Sequence, residues 1–145
     1  HPAILGRVSD ALAALYSASV ELGVADKVTA FTASDFGRTL ASNGDGSDHG
    51  WGGHHFVVGG AVNGNAYYGT PPPVSVGNST TLPEDQWHVG QGRLLPSTAV
   101  DQYAATLAKW FGVDTAEMAT VLPNLANFGV EAGRADYPRD LGFMA

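Results

Sequence analysis

Residues able to bind a metal ion concentrate in one short part of the chain. Asp35 directly follows an apolar run, and Asp48 and His49 come later in a glycine-rich stretch that leads on to His54 and His55. Carboxylate oxygens and imidazole nitrogens are normal ligands of Zn²⁺ and related divalent ions, and a catalytic zinc uses about three protein ligands with one position left open. We therefore predict metal ligands at Asp35, Asp48 and His49.

The same residue types also have ordinary structural uses. Asp35 could cap the turn after its strand, and Asp48 could form an Asx turn. Arg38 is a candidate contact for an anionic substrate, and an exposed or aspartate-paired arginine is the alternative. A calcium loop of the EF-hand type is disfavoured, because Asp48 stands where glycine is required and His54 stands where glutamate is required.

No complete hydrolase motif accompanies these candidate ligands. The chain has neither a G-x-S-x-G nucleophile elbow nor a phosphate-binding P-loop, and it contains no cysteine. Ser34, Thr32 and Thr39 carry no signature of an activated nucleophile. The pattern thus predicts part of a metal site without the attacking group.

Charge and composition narrow the classes of partner. The formal net charge is -7, which disfavours binding to nucleic acid or to an anionic membrane. No apolar run approaches the roughly 18 residues of a membrane span. With 145 residues, including 19 glycines and 8 prolines, the chain is long enough for one loop-rich domain.

Two helices and two strands must position the candidate ligands. Apolar residues at helical spacing predict a helix over 3–22, and a second helix over 98–111 follows a Thr98–Asp101 segment that resembles a capping box. Short apolar runs predict strands at 28–33 and 55–59, the first of them buried in a parallel sheet. These elements indicate the α/β class.

The remaining segments have weaker signals. Glycine, asparagine and aspartate over 43–53 predict a loop, and 67–89 is expected to be a surface excursion. A short helix is expected from Asp114 until Pro123, with an irregular tail after it. The aromatic residues of the second long helix are expected to lie in the core; they are Tyr103, Trp110 and Phe111.

Several runs together resemble a known family. They are Val28–Thr39, Gly46–Gly53, Phe56–Gly60 and Asp101–Gly112. The chain resembles the C-terminal part of the bacterial domain-of-unknown-function family 1501, which is related to the alkaline phosphatase and sulfatase superfamily. The resemblance implies that residues 1–145 form a single domain or the C-terminal portion of a larger alkaline phosphatase-like domain, with a sheet and flanking helices.

The resemblance also implies roles for individual residues. Asp35 matches the aspartate of a metal-binding Asp-His pair, and His49 matches a later histidine ligand at a glycine-rich loop. Phe36 stands where the partner histidine of that pair would be, so one ligand is missing. The nucleophile and the remaining ligands of such enzymes lie in the N-terminal portion, which is therefore the expected partner of these residues.

Two functional hypotheses follow. The first is an exported, metal-dependent phosphate or sulfate ester hydrolase, periplasmic or extracellular, of which this chain is a C-terminal fragment that is not active alone. Its metal would polarise the ester oxygen, with Arg38 contacting the anion. The second is a secreted structural or binding module with a degenerate site, able to self-assemble. The start at His1, without a methionine, agrees with excision from a longer polypeptide.

Overall fold

The computed structural model describes residues 2–145, which divide into two compact units. The first unit consists of the chain up to Val62 together with Pro71–Pro96. The second consists of Asn63–Thr70 and Ser97–Ala145. Helices and small antiparallel sheets make up the chain, which confirms the α/β class.

The first unit begins with helix α1, Pro2–Glu21, close to the predicted 3–22. The helix stops just before Gly23, which has the left-handed φ of 68° that favours glycine. Leu12 and Leu15 line a small gap against the neighbouring sheet. At the start of the helix, however, the side chains are in solvent: Ile4 is 64% exposed. Helix α1 therefore covers the sheet with only part of its apolar stripe.

That sheet pairs strand β1, Thr29–Phe31, with strand β4, Val57–Gly59. The prediction of strands here is confirmed, but the prediction of a parallel sheet is wrong. The pair is antiparallel, with Thr29 opposite Gly59 and Phe31 opposite Val57. Neither face is fully covered, because no residue of either strand is buried, and Phe31 is 52% exposed. An apolar run signals a strand but not the direction of its partner.

Two further strands lie between β1 and β4 in the sequence, and the second of them falls within the predicted loop 43–53. Strand β2, Gly37–Ser42, and strand β3, Ser47–Gly50, form an antiparallel hairpin. The loop prediction for 43–53 is wrong over β3. The side chain of Asn43 accepts hydrogen bonds from the N–H groups of Asp45 and Gly46, which reverses the chain and brings low-propensity residues into register with β2.

The buried positions of the first unit are not apolar. Among its described residues, the ones in the buried class are Ser19, Gly37, Asp85 and Gly92. Ser19 donates to the carbonyl oxygen of Tyr16 at 2.7 Å, within helix α1. Backbone approach and polar hydrogen bonds therefore hold this unit, and a fully buried hydrophobic side chain is absent from its described part.

The second unit contains helix α2, Val100–Phe111, and helix α3, Thr115–Val121. Both confirm the predicted helices, and Gly112 with φ 102° ends α2 as expected. Asp114 caps α3 by accepting from the N–H of Ala116 at 2.8 Å. The α2 cap differs from the prediction: Ala99, not Thr98, is the N-cap residue.

A small apolar core joins the elements of the second unit. Ala105, Met118 and Leu125 are buried together. Nearby, the ring of Phe143 contacts Tyr103 with 5.6 Å between ring centroids, and burial raises the pKa of Tyr103 to about 12. The prediction that Phe111 lies in the core is wrong, since it is 82% exposed at the end of α2.

Polar side chains attach the C-terminal segment to α2. Gln102 is 1% exposed; its Oε1 accepts from the N–H of Ala99 at 2.8 Å, and its Nε2 donates to the carbonyl oxygen of Pro138 at 2.6 Å. Thr106 accepts from the N–H of Leu141 at 2.9 Å. These bonds order the segment that was expected to be an irregular tail.

In the part of the chain that the structure describes, no helix is long and apolar enough to cross a membrane.

Gln102 should be essential to the stability of the second unit. Gln102→Leu preserves the side-chain size but leaves a backbone N–H and a carbonyl oxygen without a partner, which should lower the free energy of unfolding by roughly 2–4 kcal/mol. Urea unfolding followed by circular dichroism measures it. Lys109→Gln is the control: it removes an exposed ion pair with Asp140 and should cost less than about 1 kcal/mol. Equal costs for the two variants would contradict the assigned role of Gln102.

Candidate functional site

The β2–β3 hairpin places two predicted site residues opposite each other. Arg38 on β2 pairs with His49 on β3 in the strand register, next to the Gly37–Gly50 pair. Gly37 is buried, and a side chain there would collide with the backbone of Gly52. The glycine thus allows the chain after β3 to pass close to the start of β2, which holds this end of the hairpin together.

An aromatic ring joins Arg38 and His49. Phe36 stacks on the imidazole of His49 with ring centroids 3.8 Å apart and an angle of 8° between the ring planes. The guanidinium carbon of Arg38 lies 5.0 Å from the centre of the same ring, in cation–π geometry. The Nη1 atom of Arg38 donates to the carbonyl oxygen of Ser47 at 2.7 Å. The three side chains form an exposed cluster, the Phe36–Arg38–His49 cluster.

The two predicted carboxylate ligands have different surroundings. Asp48 accepts a hydrogen bond from the side-chain amide of Asn43 at 2.7 Å, so one of its oxygens stabilises the hairpin turn. Asp35 is exposed in the loop before β2 and precedes Phe36 in sequence. The structure therefore brings Arg38 and His49 together and directs Asp48 to the turn.

The described residues do not fit a complete catalytic metal site. Within 2–145 there is no group of three or more histidine, aspartate or glutamate side chains that could hold one metal ion. A catalytic zinc uses about three protein ligands. His55, close in sequence, lies 3.3 Å through its Nδ1 from the hydroxyl of Thr32. Asp35, Asp48 and His49 stay predicted ligands that would need further donors.

A second polar network was not recognised in the sequence. Asp85 is buried; its Oδ1 accepts from the Ser75 hydroxyl and its Oδ2 accepts from the N–H of Ser79 at 2.9 Å. These hydrogen bonds, the one from Ser75 first, lower the pKa of the Asp85 carboxyl, and nearby His88 acts in the same direction. The Asp-x-x-His spacing within the 67–89 excursion was the available signal.

Comparison with known proteins identifies a family. Residues 1–119 match the family described as "Protein of unknown function (DUF1501)". The chain belongs to this family. The match confirms the predicted family and contains the hairpin, the Asp85 network and helix α2 of the DUF1501 chain. No curated protein and no solved structure matches it.

The stacked geometry should be visible in solution. Phe36→Leu removes the ring and retains an apolar side chain, so the ring-current shift on the His49 ring protons should disappear, with a loss of about 0.5–1.5 kcal/mol of pair energy. Two-dimensional ¹H–¹³C NMR of the histidine rings measures the shift. Phe56→Leu, at an exposed phenylalanine next to β4, is the matched control. An unchanged His49 spectrum in Phe36→Leu would contradict the stacking.

The Asp85 carboxyl should depend on its serine donor. Ser75→Ala removes the hydrogen bond that lowers the pKa of Asp85 most, so that pKa should rise toward its ordinary value. A carboxyl whose pKa is lowered in the folded state stabilises the fold at pH values above its unfolded-state pKa of about 3.9. The wild type should therefore be more stable than the variant, and the difference should be largest at neutral pH. That advantage should shrink as pH falls through the folded-state pKa.

Carboxyl ¹³C NMR titration and urea unfolding at several pH values test this effect. Ser42→Ala removes a hydroxyl that accepts only from the N–H of Gly44 in the hairpin turn, and it should leave the titration of Asp85 unchanged. If Ser75→Ala also leaves it unchanged, the assignment of the lowered pKa to this bond is incorrect.

Proposed function

We propose that this chain is the C-terminal part of an exported, metal-dependent hydrolase of phosphate or sulfate esters, in the alkaline phosphatase and sulfatase lineage. The observation that carries the proposal is the pairing of Arg38 with His49 on one exposed hairpin, with both side chains against Phe36. A tetrahedral oxyanion and a divalent cation are both recognised by such residues. The proposed location is periplasmic or extracellular.

Arg38 is the proposed contact for the anionic group of the ester. Its guanidinium has five N–H donors, and the bond to Ser47 uses one of them. Phe36 and the strand pairing restrict the side chain, so less rotamer entropy is lost when an anion binds. A planar fork held in this way suits the paired oxygens of phosphate or sulfate.

His49 is the proposed metal ligand, with Asp35 the carboxylate that the family resemblance aligns with it. Stacking on Phe36 covers a face of the imidazole, and ring nitrogens lie in the ring plane, where a ligand bond forms. Because residues 2–145 do not supply three converging ligands, the proposal requires donors and a nucleophile from another part of the full-length protein. We therefore propose that this part has no turnover alone.

Exposed apolar surface supports the idea that another part of the polypeptide packs here. On α1, Ile4 and Leu5 are 64% and 56% exposed, and the described part of the first unit has no fully buried hydrophobic side chain. Unpaired apolar faces of this kind are typical of surfaces that pack against further protein. The proposed occupant is the N-terminal portion of the same hydrolase.

A binding module with a degenerate site is the second candidate. Phe36 favours it, because this phenylalanine occupies a position where the family resemblance implies a ligating histidine and packs directly on His49. In that case the exposed apolar surface would support self-assembly. The two candidates differ in metal content, turnover and association state.

Metal analysis of the full-length protein tests the hydrolase. We expect a bound divalent metal and turnover of phosphate or sulfate monoesters, and a reduction in metal affinity of at least about tenfold in Asp35→Asn and His49→Ala. His54→Ala, at an exposed histidine outside the hairpin, is the matched control and should retain the metal. Wild-type protein without bound metal, prepared without chelator, would refute the proposal.

Size-exclusion chromatography and electron microscopy of native material test the second candidate. Ordered assemblies without ester turnover would support the binding module. Isolated monomers with measurable turnover would exclude it.

A further inference from the structure

Both ring nitrogens of His88 form hydrogen bonds, and the two partners define the protonation state of the ring. Its Nδ1 lies 2.8 Å from the carbonyl oxygen of Gly77, which can only accept, so Nδ1 carries the proton. Its Nε2 accepts from the backbone N–H of Gly92 at 2.9 Å, so Nε2 carries none. Only the neutral imidazole with its proton on Nδ1 satisfies both hydrogen bonds.

The turn held by His88 has an unfavourable backbone. Gly90, Gln91 and Gly92 are three consecutive residues with positive φ, at 86°, 58° and 74°. Gln91 is not glycine, so its left-handed conformation is strained and needs support from its surroundings. The N–H of Val89 donates to the carbonyl oxygen of Arg93, and the N–H of Arg93 donates to that of Gly90, which closes the turn. The N–H of Gly92, the third of these residues, donates to the His88 side chain.

This turn also contacts the hairpin of the candidate site. The carbonyl oxygen of Gly92 accepts from the N–H of Leu40 on β2 at 2.8 Å. Gly92 is buried, and a Cβ there would lie 3.0 Å from the nitrogen of Leu40 and 3.1 Å from that of Ala41. Hydrogen bonds therefore run from the His88 ring through Gly92 to β2, the strand that carries Arg38.

The charged side chains near His88 in the structure belong to Asp85 and to the turn that follows His88. Asp85, on the 3-10 helix Pro83–Trp87 that ends just before His88, interacts electrostatically with His88. Arg93, in the turn, carries the positive charge of this segment and donates through its Nε to the carbonyl oxygen of Gly90 at 3.0 Å. Glu84 on the helix is exposed, and the Ser75–Ser79 segment has no titratable side chain.

We propose that His88 is an acid-sensitive latch, whose protonation breaks the bond to Gly92, relaxes the strained turn and loosens β2 of the hairpin that presents Arg38 and His49. A protonated imidazole has N–H groups at both ring nitrogens. The N–H at Nε2 would then point at the N–H of Gly92, and two donors cannot form a hydrogen bond with each other. Histidine is the side chain whose charge changes most readily between pH of about 5 and about 8. The latch depends on backbone and ring geometry and not on the proposed hydrolase.

Amide hydrogen exchange at Leu40 in the full chain tests the latch. The protection factor, corrected for the intrinsic pH dependence of exchange, should fall about fivefold or more between pH of about 8 and about 5, as expected for losing one supporting hydrogen bond. In His88→Gln, whose side chain does not titrate, the protection factor of Leu40 should no longer fall between these pH values. In His54→Gln, the matched control at an exposed histidine, the fall should remain.

The ¹⁵N NMR spectrum of the wild-type histidine rings gives an independent measurement that needs no variant. At neutral pH His88 should show the tautomer with its proton on Nδ1. The opposite tautomer would overturn the proposal, even if His88→Gln does not fold. A wild type without the fall in protection, or an equal fall in His88→Gln, would also overturn it.

Discussion

The pairing of β2 with β3 positions the candidate site, and it begins at a turn in which the Asn43 side chain accepts hydrogen bonds from the N–H groups of Asp45 and Gly46. They close the turn between β2 and β3, where Ser42 lies opposite Ser47, and an irregularity in the strand pairing between Arg38 and Ser42 then places Arg38 opposite His49. The side-chain amide nitrogen of Asn43 donates to the carboxylate of Asp48, so a predicted metal ligand takes part in the same turn. A hairpin built from glycine, serine and aspartate has little intrinsic strand propensity, and this turn compensates for that weakness.

Hydrogen bonds of buried polar side chains contribute to the structure of both units to an unusual degree. In the first unit, Asp85 and Gly92 are buried where an ordinary domain would have hydrophobic side chains. In the second unit, Gln102 and Thr106 are more deeply buried than the apolar residues of the core. Buried polar groups are stable only when every partner is in place, so each network specifies one arrangement of the loops around it.

The helices were predictable because their signals are local. Helix α2 has apolar residues at helical spacing and a glycine at its end, and α3 has an aspartate cap at Asp114. Strands β1 and β4 were recognised from their apolar residues, yet their antiparallel pairing was not. The exposure of Phe111 was also missed, because helical periodicity identifies a face without showing what packs against it.

By itself the sequence determined the helices, two strand positions, the family and the residue types of the candidate site. These depend on spacing, capping and recognisable runs within about ten residues. Only the tertiary structure decided that Arg38 pairs with His49 on a hairpin, that β1 and β4 are antiparallel, and that His88 is linked to β2 through Gly92. The physical reason is that strand register and side-chain-to-backbone hydrogen bonds join residues far apart in the chain, and composition does not encode which distant group becomes the partner.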